Sequence, residues 1–102
     1  MDPVLDPAYN MENVCKQSIL LEEHLNNDKK RCNDCCKKHM LHIVRLAEEA
    51  MSLAGHDADP LIEDVAKTYD SLLREYLDGG DPLEIAEGCR KKRKEVMEKY
   101  IK

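Results

Sequence analysis

Apolar residues recur along this chain at helical spacing in four blocks separated by short polar breaks. In the first block, over about 11–25, Val14, Ser18, Leu21 and Leu25 follow four-three-four spacing, with Ile19 and Leu20 widening the stripe. Asn10 is the expected N-cap, and Asn26-Asn27-Asp28 ends the block. The second, about 33–54, carries Met40, Ile43, Ala47, Ala50 and Ala54, supplemented by Leu46, Met51 and Leu53. Gly55 follows as a C′ residue.

The third block, about 60–77, has the cleanest pattern: Ile62, Val65, Tyr69, Leu72 and Tyr76, with Leu61, Ala66, Leu73 and Leu77 alongside. Asp59-Pro60 supplies a cap followed by proline at the first helical position, and Asp78-Gly79-Gly80 stops the run. Asp81-Pro82 repeats that start for a fourth block, about 82–101. Its stripe of Leu83, Ala86, Cys89, Arg93, Val96 and Tyr100 is interrupted by a basic run. No segment alternates at period two. The expectation is all-α, a small bundle of four helices forming one domain over 11–102. Residues 1–10, with Pro3 and Pro7, form an extended N-terminal arm ahead of it.

Composition limits the core. The 102 residues contain no Phe or Trp and four Tyr, so Leu, Ile, Val, Met and Ala must fill the interior. A core this poor in large side chains gains from a metal, a partner or self-association. Five cysteines, with no secretory leader or twenty-residue apolar run, suit a reducing site of synthesis with thiols free or metal-bound, and no membrane span.

The net charge of −5 is unevenly spread: residues 29–38 sum to +4 and 90–102 to +5, against −5 over 1–28 and −9 over 39–89. Lys29, Lys30 and Arg31, with Arg90, Lys91, Lys92, Arg93 and Lys94, could therefore contact nucleic acid or an acidic protein surface. The simpler reading is a solvated helix face whose cations suit a helix C-terminus. No aromatic residues are interleaved for base stacking.

The densest chemistry is Cys32 to His42, which holds three thiols and two imidazoles, with His24 eight residues upstream. Cys32, Cys35, His39 and His42 share the spacing of one helical face, and each taken singly reads as packing. Together they are hard to assign to a core, since their neighbours are Lys and Asn. Cys35 and His39 lie one turn apart, and Cys32 joins them if it sits in the turn before the helix. His42 lies too far along the rod, whereas His24 can fold back across the short linker. The set His24, Cys32, Cys35 and His39 offers two sulfurs and two nitrogens, which suits structural zinc. Sets using Cys36 or His42 remain alternatives.

These residues also carry a resemblance. Lys16-Gln17, Leu20-Leu21-Glu22-Glu23-His24-Leu25, Lys30-Arg31-Cys32-x-Asp34-Cys35-x-x-Lys38-His39 and Leu46-Ala47-Glu48-Glu49-Ala50 resemble a small family of large icosahedral double-stranded DNA viruses and some phages. Glu23 stands where that pattern has Asp, and Cys36 where it has an aliphatic residue. The resemblance spans about residues 16–54 and none of 55–102. It implies a minor capsid protein, located in the virion after synthesis in the host cytoplasm, whose partners are capsid proteins or other shell components. A zinc-containing nucleic-acid-binding accessory protein is the alternative. Catalysis is not expected: no glycine-rich phosphate loop is present, and Cys32-x-x-Cys35 lacks the βαβ setting of a redox pair.

Overall fold

A computed structural model describes residues 7–29 and 32–101. Four helices account for most of them: α1 (Pro7–Asn26), α2 (Asn33–Ala54), α3 (Pro60–Leu77) and α4 (Pro82–Tyr100), with a 3-10 turn at Gly55–Asp57 between α2 and α3. Helix α1 packs on α2 and α4, α2 also packs on α3, and α3 closes the bundle against α4. The all-α bundle read from the periodicity is the fold.

The caps follow the sequence chemistry. Asp59 Oδ1 accepts from Leu61 N and Asp81 Oδ1 from Leu83 N, each at 3.0 Å, with Pro60 and Pro82 opening the helices where no amide hydrogen is needed. Gly55 and Gly79 adopt the positive φ, 62° and 88°, that ends α2 and α3.

The beginning of α1 differs from the sequence reading. The helix starts at Pro7, not near 11, so residues 7–10 are helical and not part of an extended arm; residues 1–6 lie outside the described residues. Proline at the first helical position costs no hydrogen bond, which explains the earlier start. Asn10 is accordingly no cap. It is buried, and its Nδ2 donates to the Leu46 carbonyl at 3.2 Å, tying α1 to α2. Ile19 and Leu20, expected to widen the buried stripe, are instead exposed, as are Leu77 and Leu83.

The core runs from Met11 through Val14, Leu21 and Leu25, across Met40 and Ile43, to Ile62, Val65, Ile85 and Val96, with Tyr69 as its largest side chain. A polar relay crosses it. Tyr69 Oη lies 2.6 Å from Ser18 Oγ and 3.2 Å from the Cys89 carbonyl, and Ser18 Oγ donates to Glu22 Oε2 at 2.8 Å. Ser18 gives its one proton to Glu22, and the single Tyr69 hydroxyl proton is shared between the Cys89 carbonyl and Ser18 Oγ.

Arg93 closes the relay from α4, with Nε and Nη2 donating to the two Glu22 oxygens at 2.8 and 3.0 Å. This fork is nearly out of solvent and joins residues 71 positions apart. Burial pushes the Tyr69 hydroxyl above its ordinary range and the Cys89 thiol up to about 12, so both stay protonated.

At the far end of α4, Asp59 accepts from Tyr100 Oη at 2.7 Å and pairs with Lys99 at 2.5 Å, docking the last turn onto the start of α3.

Two outcomes follow from these contacts. Arg93→Ala strands a desolvated carboxylate and is expected to lower stability by about 3 kcal/mol in urea unfolding. Lys67→Ala, which breaks the exposed Glu63–Lys67 pair, should leave the midpoint unchanged. Equal midpoints for the two variants would contradict this assignment. The Lys99 contact holds the Asp59 carboxyl down at about 2, below its usual 3.8. Its folded pKa is depressed, so its contribution is present above pH 4 and lost as pH falls toward 2. Asp59→Asn should flatten that acid limb in thermal melts and lower Tm at neutral pH; an unchanged limb would contradict it.

Candidate metal centre

Of the four sequence-predicted ligands, the structure brings His24 to His39 and Cys32 to Cys35. His24 lies in the last turn of α1, and its ring stacks on that of His39 in α2, with centroids 5.5 Å apart and planes inclined by 24°. The packing of α1 against α2 brings them together.

Gln17 is a participant the sequence reading did not place. Its Oε1 lies 2.9 Å from His39 Nδ1. An amide oxygen only accepts, so Nδ1 carries the proton and Nε2 keeps its lone pair. Gln17 precedes His24 by seven residues, two helical turns, and so shares its face. That spacing was the available signal. Partial burial, with His24 and His42 nearby, lowers the His39 pKa below its usual 6.5, which keeps the ring neutral at pH 7.

The thiols form a second pair. Cys32 caps α2, its Sγ accepting from Cys35 N at 3.3 Å. The hydrogen bond from the Cys35 side chain, then that from the Cys35 amide, lowers the Cys32 pKa, and the same side-chain contact raises that of Cys35. Tyr76 Oη donates to Asn33 Oδ1 at 2.5 Å and so anchors this helix start to the end of α3.

The alternatives separate as well. Cys36 is fully buried in the hydrophobic core and behaves as a small apolar side chain, while His42 is exposed. Cys15 and Cys89 are likewise buried.

The donor types present are ones zinc takes: two thiols, with the Cys32 pKa lowered, and an imidazole oriented through its other nitrogen. The arrangement is two pairs and not a closed shell. Among the described residues, no three His, Cys, Asp or Glu side chains converge closely enough to hold an ion.

The basic run is largely committed within the fold. Arg90 pairs with Glu87 at 3.0 Å, Lys92 with Asp64 and Glu95, and Arg93 with Glu22. Lys91 and Lys94 remain exposed, without an ion pair among the described residues. Lys29 is exposed; Lys30 and Arg31 lie outside the described residues. No helix among the described residues is long and apolar enough to cross a membrane. No family model, curated protein or solved structure matches the chain.

Thiol reactivity checks this geometry. In the metal-free protein at neutral pH, iodoacetamide should alkylate Cys32 first, because the thiolate is the nucleophile. Cys35 should follow, and Cys15, Cys36 and Cys89 should react only after denaturant. Peptide mapping that finds Cys35 ahead of Cys32, or a buried thiol labelled early, would contradict it.

Proposed function

We propose that the chain is a structural, non-catalytic helical protein, a minor capsid component that bridges or stabilises larger shell proteins. Zinc held by His24, Cys32, Cys35 and His39 staples its α1–α2 hairpin. The observation that carries the staple is the stacked His24–His39 pair, with His39 oriented by Gln17 beside the Cys32–Cys35 cap. Zinc would supply cross-linking between two helices, a contribution of value to a core without Phe or Trp. Loading would draw the thiol pair and the imidazole pair onto one ion. The capsid assignment rests on the sequence resemblance over residues 16–54.

Nucleic-acid binding has less support, because Arg90, Lys92 and Arg93 already meet carboxylates of this chain. A phosphate would have to compete with those pairs.

The test joins metal content to particle composition. Protein purified without chelator should carry one zinc per chain. His24→Ala and Cys35→Ser should lose it, and their Tm should become insensitive to chelator. Purified virus particles should contain the chain at a fixed ratio to the major capsid protein. Absence of zinc from the wild type would remove the staple, and absence from particles would remove the capsid assignment.

A further inference from the structure

The Cys32–Cys35 pair carries a second chemistry that needs no metal. Cys32 is the N-cap of α2, with extended backbone (φ −116°, ψ 118°), and its carbonyl accepts from Cys36 N at 2.9 Å. Two residues three apart within a helix hold their Cβ atoms about 5–6 Å from each other, beyond the roughly 3.5–4.5 Å that a disulfide spans. An extended N-cap escapes that limit, because its side chain folds back over the first turn. Cys32 does so: its Sγ lies 3.3 Å from Cys35 N, and the Cys35 thiol donates to it. The Cα atoms of an N-cap and the third helical residue stand about 5 Å apart, inside the range of roughly 4.4–6.8 Å that disulfides occupy.

Access singles out the same two thiols. Cys32 is exposed and Cys35 half-buried, whereas Cys15, Cys36 and Cys89 are buried. Cys36 is next in sequence to Cys35 and one turn from Cys32, but it is enclosed in the hydrophobic core. A reagent in solvent therefore reaches Cys32 first, and the thiol within reach of Cys32 is that of Cys35.

We propose that Cys32 and Cys35 form a redox modification site, which a low-molecular-weight disulfide closes into an intrachain disulfide across the first turn of α2. The exposed Cys32 sulfur, its proton lost to water, attacks one sulfur of the small disulfide. The S–S bond of the reagent breaks, one small thiol leaves with a proton from water, and a mixed disulfide remains on Cys32. The Cys35 sulfur then loses its proton and attacks Cys32 Sγ, and the second small thiol leaves. Two protein thiols are oxidised to one disulfide, and one small disulfide is reduced to two thiols. The reaction changes the state of this chain and turns over no substrate. An excess of small thiol reverses it.

A closed disulfide offers no thiolate to a metal, so oxidation withdraws both sulfur donors of the proposed zinc site. That consequence rests on the staple proposed above; the disulfide itself does not.

The metal-free full chain, equilibrated at pH 7 in mixtures of oxidised and reduced glutathione, tests the site. Acid quenching, maleimide labelling under denaturant and mass spectrometry give the readout. As the mixture becomes oxidising, the chain should lose two hydrogens, keep three of its five thiols open to label and carry no glutathione. Cys36→Ala should still close the disulfide. Cys35→Ser should stop at one glutathione on Cys32, and Cys32→Ser should close no disulfide. Helicity should be unchanged in both serine variants, since neither side chain belongs to the core. The proposal is overturned if the wild type stops at a glutathione adduct or resists a large excess of oxidised glutathione. It is also overturned if Cys35→Ser still closes a disulfide or Cys36→Ala does not.

The same titration on zinc-loaded chain separates this site from the staple. Oxidation should release one zinc per chain to a chromogenic chelator. A chain that closes the disulfide but binds no zinc loses the staple and keeps this site. Zinc retained after closure removes Cys32 and Cys35 from the ligand set. A chain that binds zinc, and whose metal-free form leaves both thiols open, loses this site and keeps the staple.

Discussion

The Glu22–Arg93 fork, fed by the Tyr69–Ser18 hydrogen bond, is the contact on which the bundle's arrangement turns. Apolar burial alone drives four amphipathic helices together without choosing one rotation of α1 about its axis. Leu, Met and Ala side chains tolerate sliding. A bidentate carboxylate–guanidinium pair does not, because a misplaced partner leaves a desolvated charge. The relay therefore selects the register of α1 against α3 and α4. It also shows how a protein without Phe or Trp obtains a specific core: Tyr69 fills the volume, and its hydroxyl is spent on orientation.

The same register places the candidate metal centre. Ser18 and Glu22 face the core, so Gln17 and His24 fall on the flank of α1 that meets α2. The Asn10–Leu46 bond fixes that flank at its other end. The hairpin thus has the Asn10–Leu46 and His39–Gln17 contacts within the described residues, and the proposed zinc would add a further one near its connected end. Oriented donors on the rim of a small helical protein suit a cross-link that holds two helices in one relation.

Most of the fold was legible because its signals are local. Asp59-Pro60, Asp81-Pro82 and Gly55 announce helix ends by backbone chemistry within a few residues, and the three-four spacing of Ile62 to Tyr76 needs no partner to be read. The missing parts are pairings at long range. Arg93 could be placed on the α4 stripe, but nothing in the sequence names Glu22 as its partner. The basic run likewise shows its charges and hides the acids that meet them. Asn10 looked like a cap because its type favours one. Pro7 had already begun the helix, and the Leu46 carbonyl claimed the side chain. At the site, spacing put His24, Cys32, Cys35 and His39 in one set, whereas the structure pairs His24 with His39 and Cys32 with Cys35 and, among the described residues, brings no three of them onto one point. Their division into two pairs depends on side-chain orientation, which spacing does not carry.

In the proposed staple, one zinc ion cross-links α1 to α2 through two sulfurs and two nitrogens. Zinc-edge X-ray absorption on the purified full chain tests it most directly, because the scattering shell reports ligand atoms and not merely metal content. The proposed staple predicts a mixed shell of two sulfurs and two imidazole nitrogens, and no bound zinc in His24→Ala. A shell of oxygen and nitrogen alone, or one of four sulfurs, would contradict it.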